Sequence, residues 1–270
     1  MLRFSANLGF LWQELGLVER IEAAAAAGFG AVELHWPYEV PASEIRAACQ
    51  QHDLVLLGLN TAVGNAERGE FGLGAVPGRE EDFQATIDQS IAYCRDSGAT
   101  SIHAMAGVVS ADERNVARST FLRNLEVASQ KAAQHDLTLL LEPINPRDKP
   151  GYFYSHIGEA AQLIEELGVS NIKLMFDVYH VGVTEGDVLK RLERFMPLIG
   201  HIQIAAVPSR AEPDEGEIAY DRVLKAIDEL GYAGWIGCEY KPRSETEAGL
   251  GWIEALGFKD CLSNSRPVSR

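Results

Sequence analysis

The stretch LTLLLEPIN, residues 137–145, decides how the rest of the chain is read. Its leucine-rich run ends in Glu142 and is broken at once by Pro143, the pattern of a buried strand that delivers one carboxylate to the end of a sheet. Three later stretches repeat the device: IKLMFD ends in Asp177, GHIQI carries Gln203 near its end, and WIGCE ends in Glu239. Helical patterns separate them, so the four polar groups are predicted to meet at one face of a parallel sheet. Three carboxylates and an amide oxygen are hard donors, suited to Mg2+ or Mn2+, with Co2+ also compatible.

Outward from this stretch, apolar runs alternate with helical periodicity along the whole chain. Strands are predicted over residues 2–7, 31–35, 55–60 and 101–106, then in the four stretches above; helices are predicted over 14–27, 41–52, 79–97, 114–135, 157–167, 187–195, 220–230 and 245–256. Eight strand and helix units make a (β/α)8 TIM barrel, α/β in class and a single domain over residues 1–262. A doubly wound open sheet is the competing architecture, but no glycine-rich phosphate fingerprint follows the first strand. Residues 61–78 hold five glycines and one proline and fit no period; a loop this long reads as an active-site cover. Residues 263–270 read as a flexible tail.

At 270 residues with 46% hydrophobic and 23% charged content, the chain can bury one large core. A net charge of −15 argues against nucleic acid or an anionic membrane as partner, and no apolar run approaches the roughly 20 residues that span a bilayer. The amino terminus lacks a cleavable signal pattern, and Cys49, Cys94, Cys238 and Cys261 are scattered without metal-binding spacing. A cytoplasmic protein with reduced thiols is expected.

Each polar residue has an ordinary alternative. Asp177 can cap the next helix, Glu142 can pair with Arg147 at the surface, and His201, two residues before Gln203 and on the same face, reads as a hydrogen-bonded core histidine or else a further ligand. Four such residues in successive units, at the strand ends where barrels of this kind hold their active sites, favour the metal site. His180, Arg210, Lys241 and Asn60 stand where they would contact substrate, the cations holding an anionic one. Phe10, Trp12, Trp36 and Phe71 are expected to wall the same face, although exposed aromatics equally serve contacts in a homo-oligomer.

With those residues in place, the chain resembles the hydroxypyruvate isomerase family of the xylose-isomerase-like barrels over nearly its whole length. The resemblance rests on RFSANL at 3–8, PGRE at 77–80, LLLEPIN around Glu142, DVYH at 177–180, HIQIA around Gln203, the pattern R.EP..GEI.Y at 210–220 and GWIGCEYKP at 234–242. It implies that Glu142, Asp177, Gln203 and Glu239 hold the metal, that Glu142 and Glu239 are the catalytic acid and base, and that His180 and Arg210 face the substrate. The implied reaction moves a carbonyl between adjacent carbons of a small anionic hydroxy-oxo acid, hydroxypyruvate to 2-hydroxy-3-oxopropanoate, through a cis-enediolate. HAMAGV at 103–108 and GLGW at 249–252 resemble a 2-oxo-tetronate isomerase branch, whereas EPIN and the ERG at 67–69 resemble hydroxypyruvate isomerase itself. A ketose 3-epimerase on this scaffold is a rival, but such enzymes resemble this one with a histidine where Gln203 stands. A multi-metal phosphodiesterase would need many more histidines at strand ends and a basic surface, and a non-enzymatic sugar-acid binder would be marked by tight ligand binding from an inert metal-loaded protein.

Overall fold

Strand β1, Phe4–Asn7, shows how the sheet sorts its side chains. Alternation sends Phe4 outward, edge-on to Trp252 at 5.5 Å, and Ser5 inward toward Glu33. The computed structural model describes residues 2–258, 261 and 262, so the predicted tail at 263–270 lies outside the described residues. The further strands are β2 (Ala31–Glu33), β3 (Val55–Leu56), β4 (Gly58–Asn60), β5 (Ser101–His103), β6 (Thr138–Leu141), β7 (Ile172–Asp177), β8 (Ile199–Ile204) and β9 (Ile236–Cys238). The pairings among these strands are parallel, in the order β3-β2-β1-β9-β8-β7-β6-β5-β4. β3 and β4 flank the single residue Leu57, whose amide donates to Val32 and whose carbonyl accepts from Ser101. They are one interrupted strand, and the cylinder closes with eight positions, a TIM barrel.

Ten helices are described: α1 (Leu17–Ala26), α2 (Ala42–Gln51), α3 (Glu80–Ser97), α4 (Arg114–Ala133), α5 (Ile157–Leu167), α6 (Val178–Thr184), α7 (Val188–Phe195), α8 (Tyr220–Glu229), α9 (Thr246–Gly249) and α10 (Gly251–Ala255). α5 matches its predicted bounds because its signals agree: Glu159 reaches back to the His156 amide, the face of Ile157, Ala160, Ala161, Leu163 and Ile164 is buried, and Gly168 ends it at φ 62°. Each large apolar side chain so buried contributes about 1.5–3 kcal/mol.

Two expectations are corrected. The predicted 245–256 helix is two short helices meeting at Leu250, where a β-carbon on Gly249 would lie 2.2 Å from Glu212. α6, absent from the expected elements, starts directly after β7 because the Asp177 side chain accepts from the Tyr179 amide at 2.8 Å.

The helix-facing side of the sheet is apolar and the barrel interior beneath its carboxyl ends is polar. Ser5, Asn7, Glu33, His103, Glu142, His201, Gln203 and Glu239 are all buried. Residues 61–78 form a pinned loop, with Asn65 capping a short turn at Ala66–Arg68, Glu70 paired to Arg79, and Gly72 bridged to Ala106. Among the described residues no helix is long and apolar enough to cross a membrane.

Candidate active site

Register brings the predicted residues together. Asp177 pairs with Gln203 across β7 and β8, and Gln203 pairs with Gly237, two residues before Glu239. Glu142 follows β6 directly, so the four groups leave successive strands at one end of the cylinder. Glu142, Asp177 and His180 each offer a donor atom within 4.8 Å of the others' in a buried group that can hold a metal ion.

On the register partners Asp177 and Gln203, two buried oxygens have no hydrogen-bond partner, Asp177 Oδ2 and Gln203 Oε1. Leaving polar oxygens buried and unmatched is costly, and an ion that they coordinate removes the cost. Both ordinary readings of Asp177 therefore hold at once: Oδ1 caps α6 and Oδ2 faces the site.

The charges do not balance with protein groups alone. Burial first, then the charges of Glu239 and Asp177, push Glu142 well above the carboxylate range. Burial, then Glu239, raises Asp177 to about 7. Burial also works against a charged Glu239, but Arg210 and His35 outweigh it and hold that carboxyl down to about 2. Glu239 accepts from Asn7 at 3.0 Å, lies 3.0 Å from His35 Nε2, and takes the Arg210 guanidinium at 2.7 Å. A divalent cation would neutralise the remaining carboxylate excess, which fits the hard donors present.

His180 belongs to this centre. Its Nδ1 accepts from the Asn145 backbone amide at 3.2 Å and from the Asn145 side chain at 2.7 Å. A backbone amide can only donate, so the neutral ring carries its proton on Nε2, which lies 3.6 Å from Glu142 and 3.5 Å from Asp177. Burial, then the charge of Arg210, lowers its pKa well below the usual histidine value. In that tautomer the ring is a neutral donor aimed at the carboxylates, so the carboxylate oxygens rather than His180 are left to hold a metal ion.

Arg210 sits at φ 57°, a left-handed conformation that costs a residue with a β-carbon roughly 1–2 kcal/mol. Its amide donates to Ala206 at 2.8 Å and its carbonyl accepts from Lys241 at 2.7 Å, which holds it there. The guanidinium lies 4.8 Å from both the Phe10 and Tyr179 rings and reaches Asp148 at 3.0 Å. Burial opposes its charge, but Glu239, Asp177 and Glu142 raise its pKa further above the ordinary value.

Above these groups lies a cavity of about 260 Å³. Glu142, His180, Arg210, Glu239 and Asn60 line it together with Phe10, Trp36 and Phe71. Lys241 does not; it lines a neighbouring cleft on the other side of Phe10, because its strand has already ended and the chain turns outward. Trp12, expected in the wall, is instead a core residue, 1% exposed and edge-on to Phe29. His201 is the hydrogen-bonded core histidine, 2.8 Å from Glu33, and Glu142 faces His103 at 3.3 Å rather than Arg147.

Sequence reasoning missed Asn7, Glu33, His35, His103, Asn145 and Lys149. Asn7, Glu33 and His103 end β1, β2 and β5, so the strand-end rule applied to the later units would have found them in the earlier ones. Lys149 replaces Lys241 as a cavity cation, its ammonium 4.1 Å over the Phe71 ring.

Fold and site together define a xylose isomerase-like barrel, and a family model of that description matches residues 21–256. The chain is 47% identical over 255 residues to the 2-oxo-tetronate isomerase of Cupriavidus necator, covering 94% of this chain and 98% of that protein. It is 38% identical over 255 residues to the hydroxypyruvate isomerase of Escherichia coli, covering 94% and 99%. Among solved structures, an AP endonuclease, family 2, from Brucella melitensis superimposes with a TM-score of 0.92 at 38% identity, over 94% of this chain and 99% of that one. The chain belongs to the hydroxypyruvate isomerase family of the xylose isomerase-like TIM barrels, a family that takes in the 2-oxo-tetronate isomerases.

Proposed function

We propose that this protein is an isomerase of small hydroxy-oxo acids that converts hydroxypyruvate to 2-hydroxy-3-oxopropanoate. The observation that carries this reading is the pairing of Asp177 and Gln203, each with a buried oxygen that has no hydrogen bond, on the two strands between those that lead to Glu142 and Glu239, glutamates that line a small cavity. Glu142, Asp177, Gln203 and Glu239 would hold the cation, Mg2+ or Mn2+ by the hardness of the donors, with Co2+ also suited. When bound, such an ion supplies Lewis-acid polarisation of an α-hydroxy carbonyl.

The chain's own residues divide the remaining work. Glu142 and Glu239 arrive from β6 and β9, and their environments drive their proton affinities apart, the arrangement expected of an acid–base pair. One removes the C–H proton from the carbon that bears the hydroxyl, giving a cis-enediolate; the other returns a proton to the former carbonyl carbon, while the hydroxyl proton passes to the former carbonyl oxygen. The Nε2–H of His180 is placed to donate to an oxygen that gains charge in this step. Phe10, Trp36 and Phe71 keep water from the cavity, with residues 61–78 as the cover that brings Phe71 over it.

An acid, rather than a neutral sugar, fits the cations. Arg210 is already shared among Glu239, Asp148 and Asp177, whereas Lys149 has no carboxylate partner among the described residues and lines the cavity. Lys149 is the group that meets the substrate carboxylate. The net charge of −15 does not suit a nucleic-acid substrate, and the lack of disulfides among the described residues suits a cytoplasmic protein.

The 47% identity to the Cupriavidus necator protein favours a second reading, in which the substrate is the four-carbon 2-oxo-tetronate. Incubation of Mn2+-loaded protein with each acid in deuterated water, followed by NMR, tests both. Deuterium at the carbon next to the carbonyl together with isomerised product is expected from the true substrate; exchange with neither acid, or epimerisation of a neutral ketose at C3 instead, would overturn the proposal.

A further inference from the structure

Beneath Gln203 lies a carboxylate that the chemistry above does not use. Glu33, at the end of β2, is 5% exposed and points into the barrel. Its Oε2 accepts from His201 Nε2 at 2.8 Å and from Gln203 Nε2 at 3.1 Å, and its Oε1 stands 3.4 Å from Ser5 Oγ. The neighbouring strand leaves room for this: a β-carbon on Gly237 would lie 2.0 Å from Glu33 Oε1 and 2.9 Å from Gln203 Cγ. Only glycine lets the two side chains meet.

The contact is chemically one-sided. A carboxylate accepts hydrogen bonds and does not donate them, so it takes the NH2 half of the Gln203 amide and turns the carbonyl half away. That carbonyl oxygen is the buried atom without a hydrogen-bond partner, on the residue paired with Asp177. Without the carboxylate, nothing among the contacts of Gln203 distinguishes one end of its amide from the other. The same carboxylate also occupies Nε2 of His201, on the same strand face.

We propose that Glu33 is a positioning residue that locks the Gln203 amide with its oxygen toward the cation site and holds His201 away from it. The inference rests on the reading of Gln203 as a metal ligand. Groups that orient a ligand in this way tune affinity by about 10- to 100-fold.

Calorimetric titration of the full chain with Mn2+ tests it. Glu33→Gln is expected to weaken Mn2+ binding by about 10- to 100-fold, since an amide there can donate as well as accept. A double-mutant cycle with Gln203→Glu, whose carboxylate has no amide to orient, separates this from a merely structural role: Glu33→Gln is expected to weaken Mn2+ binding far less in the Gln203→Glu background than in wild type. Glu33→Gln binding as tightly as wild type, or the same loss in both backgrounds, would overturn the proposal.

Should Glu33→Gln fail to fold, the wild-type protein labelled on glutamine decides by NMR. The Gln203 carbonyl carbon, assigned by its loss in Gln203→Glu, is expected to shift with Mg2+ while its NH2 protons stay protected from exchange. An unmoved carbonyl, or unprotected NH2 protons, counts against the lock. Wild-type protein that binds no Mn2+ overturns the metal reading and this inference together; binding that Glu33→Gln leaves intact overturns this inference alone.

Discussion

Asp177 and Gln203 are direct register partners on β7 and β8, and each keeps one buried oxygen without a hydrogen bond. Two such oxygens on paired residues make a stability deficit that a bound cation would remove. Mn2+ at 100 times its dissociation constant is expected to stabilise the fold by about 2.7 kcal/mol, seen as a rise in Tm. Gln203→Leu should lose most of that rise, and a wild-type Tm indifferent to Mn2+ would refute the site.

The pKa of Asp177, raised to about 7 by burial and then by Glu239, fixes a sign for the metal-free protein. The unfolded chain releases this proton near pH 3.9 and the folded chain near 7, so the folded state binds more protons between them and loses stability as pH rises through that window. Asp177→Asn removes this penalty while an amide oxygen can still cap α6. Its metal-free Tm should therefore gain on wild type between pH 4 and 7 and stay ahead above it. Saturating Mn2+ should reverse the order, and thermal melts at several pH values with chelator or metal would show either result.

Glu142→Gln and Glu239→Gln keep shape and remove the proton-transfer group. Each is expected to lower kcat by roughly 100- to 10,000-fold with far-ultraviolet circular dichroism unchanged. Substrate deuteration by one variant but not the other would identify which glutamate removes the proton in that direction; wild-type turnover by either would remove it from the mechanism.

Lys149→Met keeps an apolar stem beside Phe71 and deletes the charge. Losing a charged contact to the substrate carboxylate, worth about 1.5–3 kcal/mol, should raise KM for hydroxypyruvate by roughly 10- to 100-fold and change kcat far less. Lys241→Met, outside the cavity, should leave both near wild type. Steady-state kinetics on the two variants would show whether the roles are the reverse.

Much of this centre was legible before any coordinates, because a strand that ends in one polar residue states both its direction and its cargo. Glu142, Asp177, Gln203 and Glu239 were placed at the strand ends in that way, and the register brings them to one end of the barrel. The same rule, applied to the first strands, would have reached Asn7 and Glu33, but β1 and β2 are only four and three residues long and offer little apolar run to mark their ends. Lys241 stood out because it follows Glu239 by two residues, whereas Lys149 follows Glu142 by seven. Only the path of each loop decides which ammonium turns over the cavity. Trp12 was misplaced for a related reason: a tryptophan in a loop carries no mark of which side it packs on.

Local sequence determined the alternation of strands and helices, the barrel and the four polar strand ends, because periodicity and chain breaks act over a few residues. Tertiary structure alone decided the rest. Which amide end of Gln203 faces the site depends on Glu33, 170 residues earlier, and on the missing β-carbon of Gly237. Which nitrogen of His180 bears the proton depends on the Asn145 amide, 35 residues away. Hydrogen-bond direction and charge are settled between groups that only closure of the cylinder brings within a few ångströms, and no pattern along the chain encodes that distance.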